Sequence, residues 1–454
     1  MAKVSVFGLG KVGHTLAACL GASGHNVVCY DVNPRLVAAI NDRSLVSCEA
    51  GVDERIAGLG PDRLRATTGA VEAIRESDAT FIIVPTPSNM LGGFSLRYVL
   101  DACRTIGDAI RQKKTPHAVS LVSTVLPGSS DRFIVPVLEQ ASGRRIGEGL
   151  HYCYNPAFIA LGEVVRGFER PDYVLIGECE PDGGELIAAI HLMMVRNQAT
   201  IVRMKAVEAE ITKIASNTHE TMRVAFANML LSLCNEMPNA DVDRITGALA
   251  HRIGKRFFKG AMPYGGPCWP RDNRALAVLV EALGGTSALL RAVDDSNAEH
   301  GAYVFRNLLN LSKPGDTVGI IGLAYKPGTP VIEKSYSVEL ARWLAAEGRS
   351  VIGWDPLAMD ETRLVLSDTI AYASSAEQVL TQSDISVVAM PSPELSAVDW
   401  SAAGDRLVVD CWRCVPQAAQ LKLKHYRALG HGEDAALGPW IAERMGNRFD
   451  VLCN

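Results

Sequence analysis

The densest concentration of reactive side chains lies in one short stretch, YGGPCWPRD at 264–272. Two glycines ahead of Cys268 permit close approach of the backbone to a ligand, and Pro267 and Pro270 stiffen the loop around the thiol. Arg271 supplies a cation that favours thiolate, and Asp272 a carboxylate able to handle protons. Most cysteines of a protein kept reduced are inert core residues. It is the loop, more than the thiol, that singles out Cys268 as a nucleophile.

A second pattern opens the chain. Residues 3–7 (KVSVF) read as a buried strand, GLGKVG follows at once, an apolar helical stretch runs to Gly24, and a second strand ends at Asp31. Gly8, Gly10 and Gly13 have the Gly-x-Gly-x-x-Gly spacing. The first permits the tight turn, the second lets backbone approach a pyrophosphate, and the third lets helix pack on strand. Asp31, eighteen positions after Gly13, stands where a carboxylate accepts from a ribose 2′-hydroxyl and repels a 2′-phosphate. The unit therefore predicts NAD rather than NADP, with Arg35 nearby as the one residue that softens the preference.

These elements sit in an α/β chain. Runs at 79–87 (ATFIIVPTP) and 118–125 (AVSLVSTV) are further buried strands, each ending in hydroxyl residues where a parallel sheet places its ligand loops. The pattern returns late: VGIIGLA at 318–324 parallels VSVFGLG at 4–10, Asp355 parallels Asp31, and SDISVVAMPSP at 383–393 matches SDATFIIVPTP at 77–87. The second half lacks the third glycine, so it is not read as a second dinucleotide site. Between the halves, from about Lys205 to Glu236, a stretch free of Pro and Gly predicts one long helix or two nearly continuous ones. Its stripe of Ile211, Ile214, Met222, Phe226, Leu230 and Leu233 is suited either to burial within the monomer or to a homodimer contact. The expected fold is two doubly wound Rossmann-type domains joined by a long central helix. The boundaries are 1–200 for the NAD-binding domain, 201–300 for a helical dimerisation domain carrying the cysteine loop, and 301–454 for a second, Rossmann-like domain.

Composition narrows the class. The chain has 454 residues, 48% hydrophobic and 21% charged, with 45 Lys and Arg against 50 Asp and Glu, a packed protein without a basic nucleic-acid footprint. No run of about 18 apolar residues occurs, and the first strand begins too early for a signal peptide, so no membrane contact is expected. Eleven cysteines without paired spacing suit free thiols in the cytoplasm. Cys411 and Cys414 lack the context of a redox pair and read as incidental, and no metal site is read from the sequence.

The motifs together resemble the UDP-glucose/GDP-mannose dehydrogenase family of nucleotide-sugar 6-dehydrogenases. The glycine-rich start is followed in order by VPTPS (84–88), STVLPG (123–128), NPAFIALGE (155–163), EITKIASN (210–217), RIG (252–254), GGPCWPRD and GLAYKPGT (322–329). The resemblance implies NAD as cofactor, with Gly8, Leu9, Gly10, Val12, Gly13, Asp31, Arg35, Thr86, Pro87, Ser123, Thr124 and Arg271 around it. It implies Cys268 as the nucleophile that captures the C6 aldehyde and carries a thioester. Lys213 and Asn217 would stabilise the oxyanion, Thr124 position a water, and Asp272 act as acid or base. Phe158, Ile159, Lys213, Asn217, Phe257, Lys259, Tyr264, Gly265 and Lys326 would line the nucleotide-sugar site, with Arg252 reaching the substrate of a neighbouring subunit.

Some positions depart from the family. Ala157 and Leu161 stand where glutamates are usual, and Glu163 could compensate only if the loop shifts. Pro330, Val331, Ile332, Glu333 and Lys334 replace a usual Asp-Asp-x-Arg-Glu, and Arg413 falls one place later than the usual arginine. The reading is a four-electron oxidation of UDP-glucose or a UDP-N-acetylhexosamine to the uronate on a homodimer, with the site between the two halves. Its rivals are a two-electron hydroxyacid dehydrogenase, which needs neither Cys268 nor a second Rossmann half, and a nucleotide-sugar-binding protein whose catalysis has decayed.

Overall fold

The computed structural model describes residues 1–446, 448, 451 and 452. The chain forms two compact units, one of Met1–Ser216 with Arg274–Gly285, the other of Asn217–Asn273 with the chain from Thr286 onward.

The first unit is built on nine strands: β1 (Lys3–Phe7), β2 (Asn26–Tyr30), β3 (Leu64–Thr67), β4 (Ala79–Ile82), β5 (His117–Leu121), β6 (Arg145–Ile146), β7 (Gly149–Tyr154), β8 (Tyr173–Glu178) and β9 (Thr200–Lys205). Their order is β3-β2-β1-β4-β5-β7-β8-β9, with β6 beside β7. The β3-β2-β1-β4-β5 run is parallel, the doubly wound order, and β8 enters antiparallel to β7. Period-2 alternation sorts β1 between two layers: Val4 and Val6 pack with Leu16 and Leu20 of helix α1 (Lys11–Ala22), while Phe7 packs with Ile82, Ile106 and Leu121 on the opposite face. Strands β4 and β5 stop at Ile82 and Leu121, short of the sequence-expected ends at 87 and 125, because the chain leaves the sheet there to form the loops that carry Thr86 and Thr124.

Helix α2 (Ala206–Glu236) is one continuous helix of 31 residues, the first of the two alternatives that its lack of Pro and Gly allows. Helices α3 (Val242–Ile253), α4 (Trp269–Ala282) and α5 (Ala288–Leu311) follow. In the second unit six strands, β10 (Thr317–Ile321), β11 (Ser350–Trp354), β12 (Ala371–Tyr372), β13 (Ile385–Val388), β14 (Leu407–Asp410) and β15 (His425–Ala428), lie in the order β12-β11-β10-β13-β14-β15, all parallel. This is the same winding as the first sheet, in keeping with the repeat in the sequence. Val318 and Ile320 of β10 pack on one face with Leu340 and Leu344, and Ile321 on the other with Val379 and Trp400.

The apolar stripe of α2 divides. Ile214 is fully buried, Met222 and Leu230 are half-buried, and Ile211, Phe226 and Leu233 are exposed together with Met229. Among the described residues no helix is long and apolar enough to cross a membrane.

Candidate active site

The first unit carries the glycine turn. Gly8 has φ of +100°, and a Cβ there would lie 2.1 Å from the carbonyl oxygen of Ile83. A Cβ on Gly13 would lie 1.8 Å from the Gly8 oxygen, so any side chain would push α1 off β1. Gly10 faces open space, with no protein atom within 4 Å of a Cβ built on it. It is the N-cap of α1, whose first turn has no side-chain cap and no acid, and its amides are fitted to receive a pyrophosphate. Leu9 is buried in the core, so it offers only backbone to a ligand, and Val12 packs against that core half-buried. Asp31 accepts from Leu9 N at 2.7 Å through Oδ2 and from Asn33 N at 2.8 Å through Oδ1. It therefore holds the glycine turn and keeps acceptor capacity on each oxygen, which a ribose hydroxyl could use. These features fit a bound NAD. Arg35 is exposed on the first turn of the next helix.

The loops after β4 and β5 are stitched together. Ser123 Oγ donates to Val84 O at 2.7 Å and accepts from Val84 N at 3.0 Å, and Thr86 Oγ1 donates to Thr124 O at 2.8 Å. Ser123 and Thr86 thus give their hydroxyl protons to structure, and Pro87 O accepts from Ser95 N. Thr124 is half-buried, and its hydroxyl has no hydrogen-bond partner among the described residues.

Lys213 is buried, donates to Ala157 O at 2.9 Å and stands 4.7 Å from the centroid of the Phe158 ring. Ile159 turns inward and lies where a Cβ on Gly167 would meet it at 2.6 Å, so its side chain fills core. Ala157 and Leu161 are apolar contacts of the same core. Glu163 does not take their place: it is exposed at the N-cap of the helix Val164–Glu169 with Arg166 at 3.4 Å. Two buried acids went unremarked in the sequence. Glu49 accepts from Gly162 N and Val164 N, fixing the turn after Leu161. Glu210, 0% exposed on the first turns of α2, accepts from Gly128 N, Ser130 N and Ser130 Oγ. Burial pushes its carboxyl upward from the ordinary range, against the pull of those donors.

The second unit carries the cysteine loop. Cys268 is exposed and immediately precedes α4, its carbonyl accepting from Asp272 N at 2.8 Å. A thiol at a helix N-terminus is placed where the helix dipole favours thiolate. Asp272 is 0% exposed: Oδ1 meets Arg271 Nε and Nη2, both at 2.9 Å, and Oδ2 accepts from Asn217 Nδ2 at 2.6 Å. The two glycines before the cysteine serve the protein itself. A Cβ on Gly265 would lie 2.0 Å from Lys334 O, and one on Gly266, at φ +83°, 2.4 Å from the Tyr325 ring. Gly266 N also donates to Glu333 O at 3.1 Å. The close approach expected toward a ligand is thus made to the 325–334 loop, clamping the cysteine loop onto the segment that carries Lys326.

Tyr264 is buried with its hydroxyl committed, donating to Asp294 Oδ1 at 2.6 Å and accepting from Asn273 Nδ2 at 3.2 Å. Burial and the Asp294 carboxylate hold its phenol far above the usual range. Its main chain is paired both ways with the Asn297 side chain. Phe257, at φ +52°, packs edge-on against Trp269 at 5.2 Å, and Trp269 also meets Tyr264. Lys259 and Arg252 are exposed. Arg223, a further residue not singled out in the sequence, donates to the carbonyls of Ile253, Gly254 and Arg256 and so fixes the end of α3 and the turn into Phe257.

Lys326 lines an open cleft at the carboxyl ends of β10, β11 and β13. There Asp355 accepts four amides, from Leu323, Ala324, Leu357 and Ala358. Unlike Asp31 it has no acceptor site left for a ribose, in keeping with one dinucleotide site per chain. Arg413 is buried and saturated, paired through two nitrogens with Asp243 at 3.0 Å and donating to the carbonyls of Cys411, Leu429 and Gly260. Burial raises the Asp243 carboxyl, but Arg413 outweighs it and leaves the group below its usual value. Asp241, Asp243 and His431 converge closely enough to ligate a cation, yet Asp243 is neutralised by Arg413 and Asp241 caps α3.

The chain matches the UDP-glucose/GDP-mannose dehydrogenase family in three segments: its NAD binding domain at 2–195, central domain at 207–299 and UDP binding domain at 319–417. It is 35% identical over 422 residues to the UDP-glucose 6-dehydrogenase AglM of Haloferax volcanii, covering 91% of this chain and 97% of that one. It is 31% identical over 352 residues to the GDP-mannose 6-dehydrogenase of Pseudomonas syringae pv. tomato, covering 76% and 79%. The structure of a UDP-glucose dehydrogenase from Pyrobaculum islandicum superposes with a TM-score of 0.85 at 32% identity, covering 95% of this chain and 98% of that one. The chain belongs to the UDP-glucose/GDP-mannose dehydrogenase family and is an NAD-dependent oxidoreductase.

Proposed function

We propose that this protein oxidises the C6 primary alcohol of a nucleotide sugar to the uronate in two NAD-dependent steps through a covalent intermediate on Cys268. The observation that carries this reading is the exposed Cys268 at the head of α4, one turn from the buried Asp272, whose carboxylate fixes Asn217 and Arg271. NAD, when bound, accepts one hydride per step. The alcohol loses a hydride and a proton to give the aldehyde. The Cys268 thiol then adds across the C6 carbonyl: a C–S bond forms, the C=O π bond breaks and the thiol proton ends on the oxygen, giving a thiohemiacetal. Loss of a second hydride and a proton leaves the thioester, and water breaks the C–S bond, releasing the carboxylate and the thiol. The sum is one alcohol, two NAD⁺ and one water to one carboxylate, two NADH and three protons. Lys213 and Asn217 serve the oxyanion, Thr124 a water, and Arg252, Phe257, Lys259, Tyr264, Gly265 and Lys326 the nucleotide sugar, Tyr264 and Gly265 by shaping the loop and not through a free hydroxyl or a gap.

UDP-glucose is the first substrate to test, since relatives named for it match over nearly the whole chain. The division of labour is 1–200 for NAD, 201–300 for the cysteine loop and dimerisation, and 301–454 for the nucleotide sugar. A homodimer is supported by the exposed Phe226, Met229 and Leu233 of α2 and Ile245, Leu249 and Ile253 of α3. A cytoplasmic location is supported by ten cysteines among the described residues that form no disulfide, Cys453 lying outside them. The deciding experiment counts NADH per sugar with UDP-glucose, UDP-N-acetylhexosamines and GDP-mannose. Two NADH per sugar support the reading, one reduces the protein to a two-electron dehydrogenase, and none with any sugar leaves a binding protein.

A further inference from the structure

The buried Glu210 has no part in the reaction as written, yet it is among the most completely engaged acids of the first unit. Its Oε2 accepts from Gly128 N at 2.6 Å, and Oε1 from Ser130 N at 2.9 Å and Ser130 Oγ at 2.7 Å. The Ser130 proton goes to the carboxylate, so the 2.8 Å contact between Ser130 Oγ and Tyr152 Oη is a bond in which the buried tyrosine donates. These partners lie at the head of a π-helical turn, Ser130–Ile134, that runs into the helix Val135–Ser142. Glu210 thus supplies from a distant segment the N-terminal cap that this helix lacks in its own sequence.

One helical turn further along α2, Ile214 is fully buried in a small cluster with Phe94, Ala275 and Leu126, the last belonging to the same loop as Gly128. Glu210 and Ile214 therefore grip the 124–130 loop by a polar and an apolar contact. The near end of that loop is tied by Thr86 to the carbonyl of Thr124. Lys213 lies on the same face of α2 and reaches Ala157 O in the 155–163 loop.

We propose that Glu210 is a positioning residue which, with Ile214, locks the Thr124 loop to α2 and so sets Thr124 in register with Lys213. This deepens the proposed reaction and rests on it. The reason it matters is geometric: a displacement near 1 Å at a reacting group costs on the order of 10²-fold in rate. Two loops and one helix must agree on the place of one hydroxyl and one ammonium.

The test is Glu210→Gln in the full-length enzyme. An amide keeps one acceptor but cannot receive both Gly128 N and the Ser130 pair. Hydrogen exchange at Gly128 and Ser130 should rise roughly tenfold or more, while the amides of β1 and β5 keep their protection. In turnover, kcat should fall about tenfold or more, with KM for NAD and for the nucleotide sugar within about twofold of wild type. Ser130→Ala, which keeps the carboxylate and both amides, should lower kcat in the same direction by a smaller factor and serves if the glutamine variant does not fold. Unchanged amide protection overturns the proposal, as does a folded Glu210→Gln enzyme with kcat within twofold of wild type, or one in which both KM values rise while kcat holds. Should wild type reduce no NAD with any nucleotide sugar, the functional reading fails, and exchange at Gly128 and Ser130 decides the clamp by itself.

Discussion

Asn217 and Asp272 are joined by a 2.6 Å hydrogen bond from Nδ2 to Oδ2, and because both are buried the amide has one orientation. Arg271 fills the other oxygen of Asp272. The acid at the foot of the cysteine loop therefore orients its neighbours, each of its oxygens held by a fixed donor. Asp272→Ala should leave Arg271 and Asn217 without their acceptor and lower stability by about 3 kcal/mol, the usual order for breaking a buried charged pair. Asp272→Asn should cost less in stability, since one acceptor oxygen remains, but its amide cannot accept from both neighbours, and the displaced Asn217 should still lower kcat by about 10²-fold. Denaturant midpoints and steady-state rates on the two variants check both numbers. Equal kcat for Asp272→Asn and wild type would contradict the orienting role.

Cys268→Ser should abolish the second oxidation while NAD affinity, measured by calorimetry, stays within about twofold. The hydroxyl has no thiolate to offer at neutral pH and makes a poor acyl carrier. Uronate formed at the wild-type rate by this variant would rule out the covalent route.

The geometry of Asp31 sharpens the cofactor prediction. Its two oxygens hold Leu9 N and Asn33 N, so Asp31→Ala should loosen the glycine turn as well as lose the ribose contact. The expected outcome is a fall of about tenfold or more in kcat/KM for NAD with no compensating gain for NADP. A wild-type enzyme with higher kcat/KM for NADP would falsify the assignment.

Thioester hydrolysis needs a base, commonly worth about 10²–10⁴ in rate. Ala157 and Leu161 are core contacts, Asp272 is pinned, and Glu163 stands in solvent beside Arg166. Deacylation should therefore limit turnover, giving a burst of about two NADH per site before a slow steady state. Ala157→Glu should raise the steady rate without altering the burst, and Glu163→Gln should leave it within about twofold. A trace with no burst, together with slower turnover for Ala157→Glu, means that the loop uses another base.

Two buried histidines make stability fall in acid. His300 donates from Nε2 to Ala261 O at 2.7 Å, and burial holds its pKa at about 4; His191, bonded to Asn155, is likewise held at about 4. An unfolded histidine takes up its proton near 6.5, so between that pH and about 4 the unfolded chain binds more protons than the folded one. Stability is full above about 6.5, declines as pH falls, and the loss levels off below about 4, at roughly 3 kcal/mol for each residue. Unfolding midpoints across this range should show the decline, and His300→Gln should flatten it. A midpoint that does not change between pH 7 and 4 would count against this.

What the sequence determined by itself is whatever depends on local spacing. The turn of Gly8, Gly10 and Gly13, the strand leading to Asp31, the helical character of Ala206–Glu236 and the second Rossmann half were all legible, because periodicity and glycine spacing act within a few residues along the chain, whereas that the helix is one and not two was settled by the structure. Tertiary structure decided which polar groups are already taken. That Arg413 is saturated by Asp243 and three carbonyls, that Gly265 and Gly266 make room for Lys334 and Tyr325, and that Glu49, Glu210 and Arg223 each hold a distant loop follow from partners far away in sequence. The stripe of α2 shows the same division: its period was readable, but which of Ile214 and Phe226 is covered depends on what else folds against the helix. Hydrogen-bond saturation and burial are properties of the packed chain, and no local pattern of residue types encodes them.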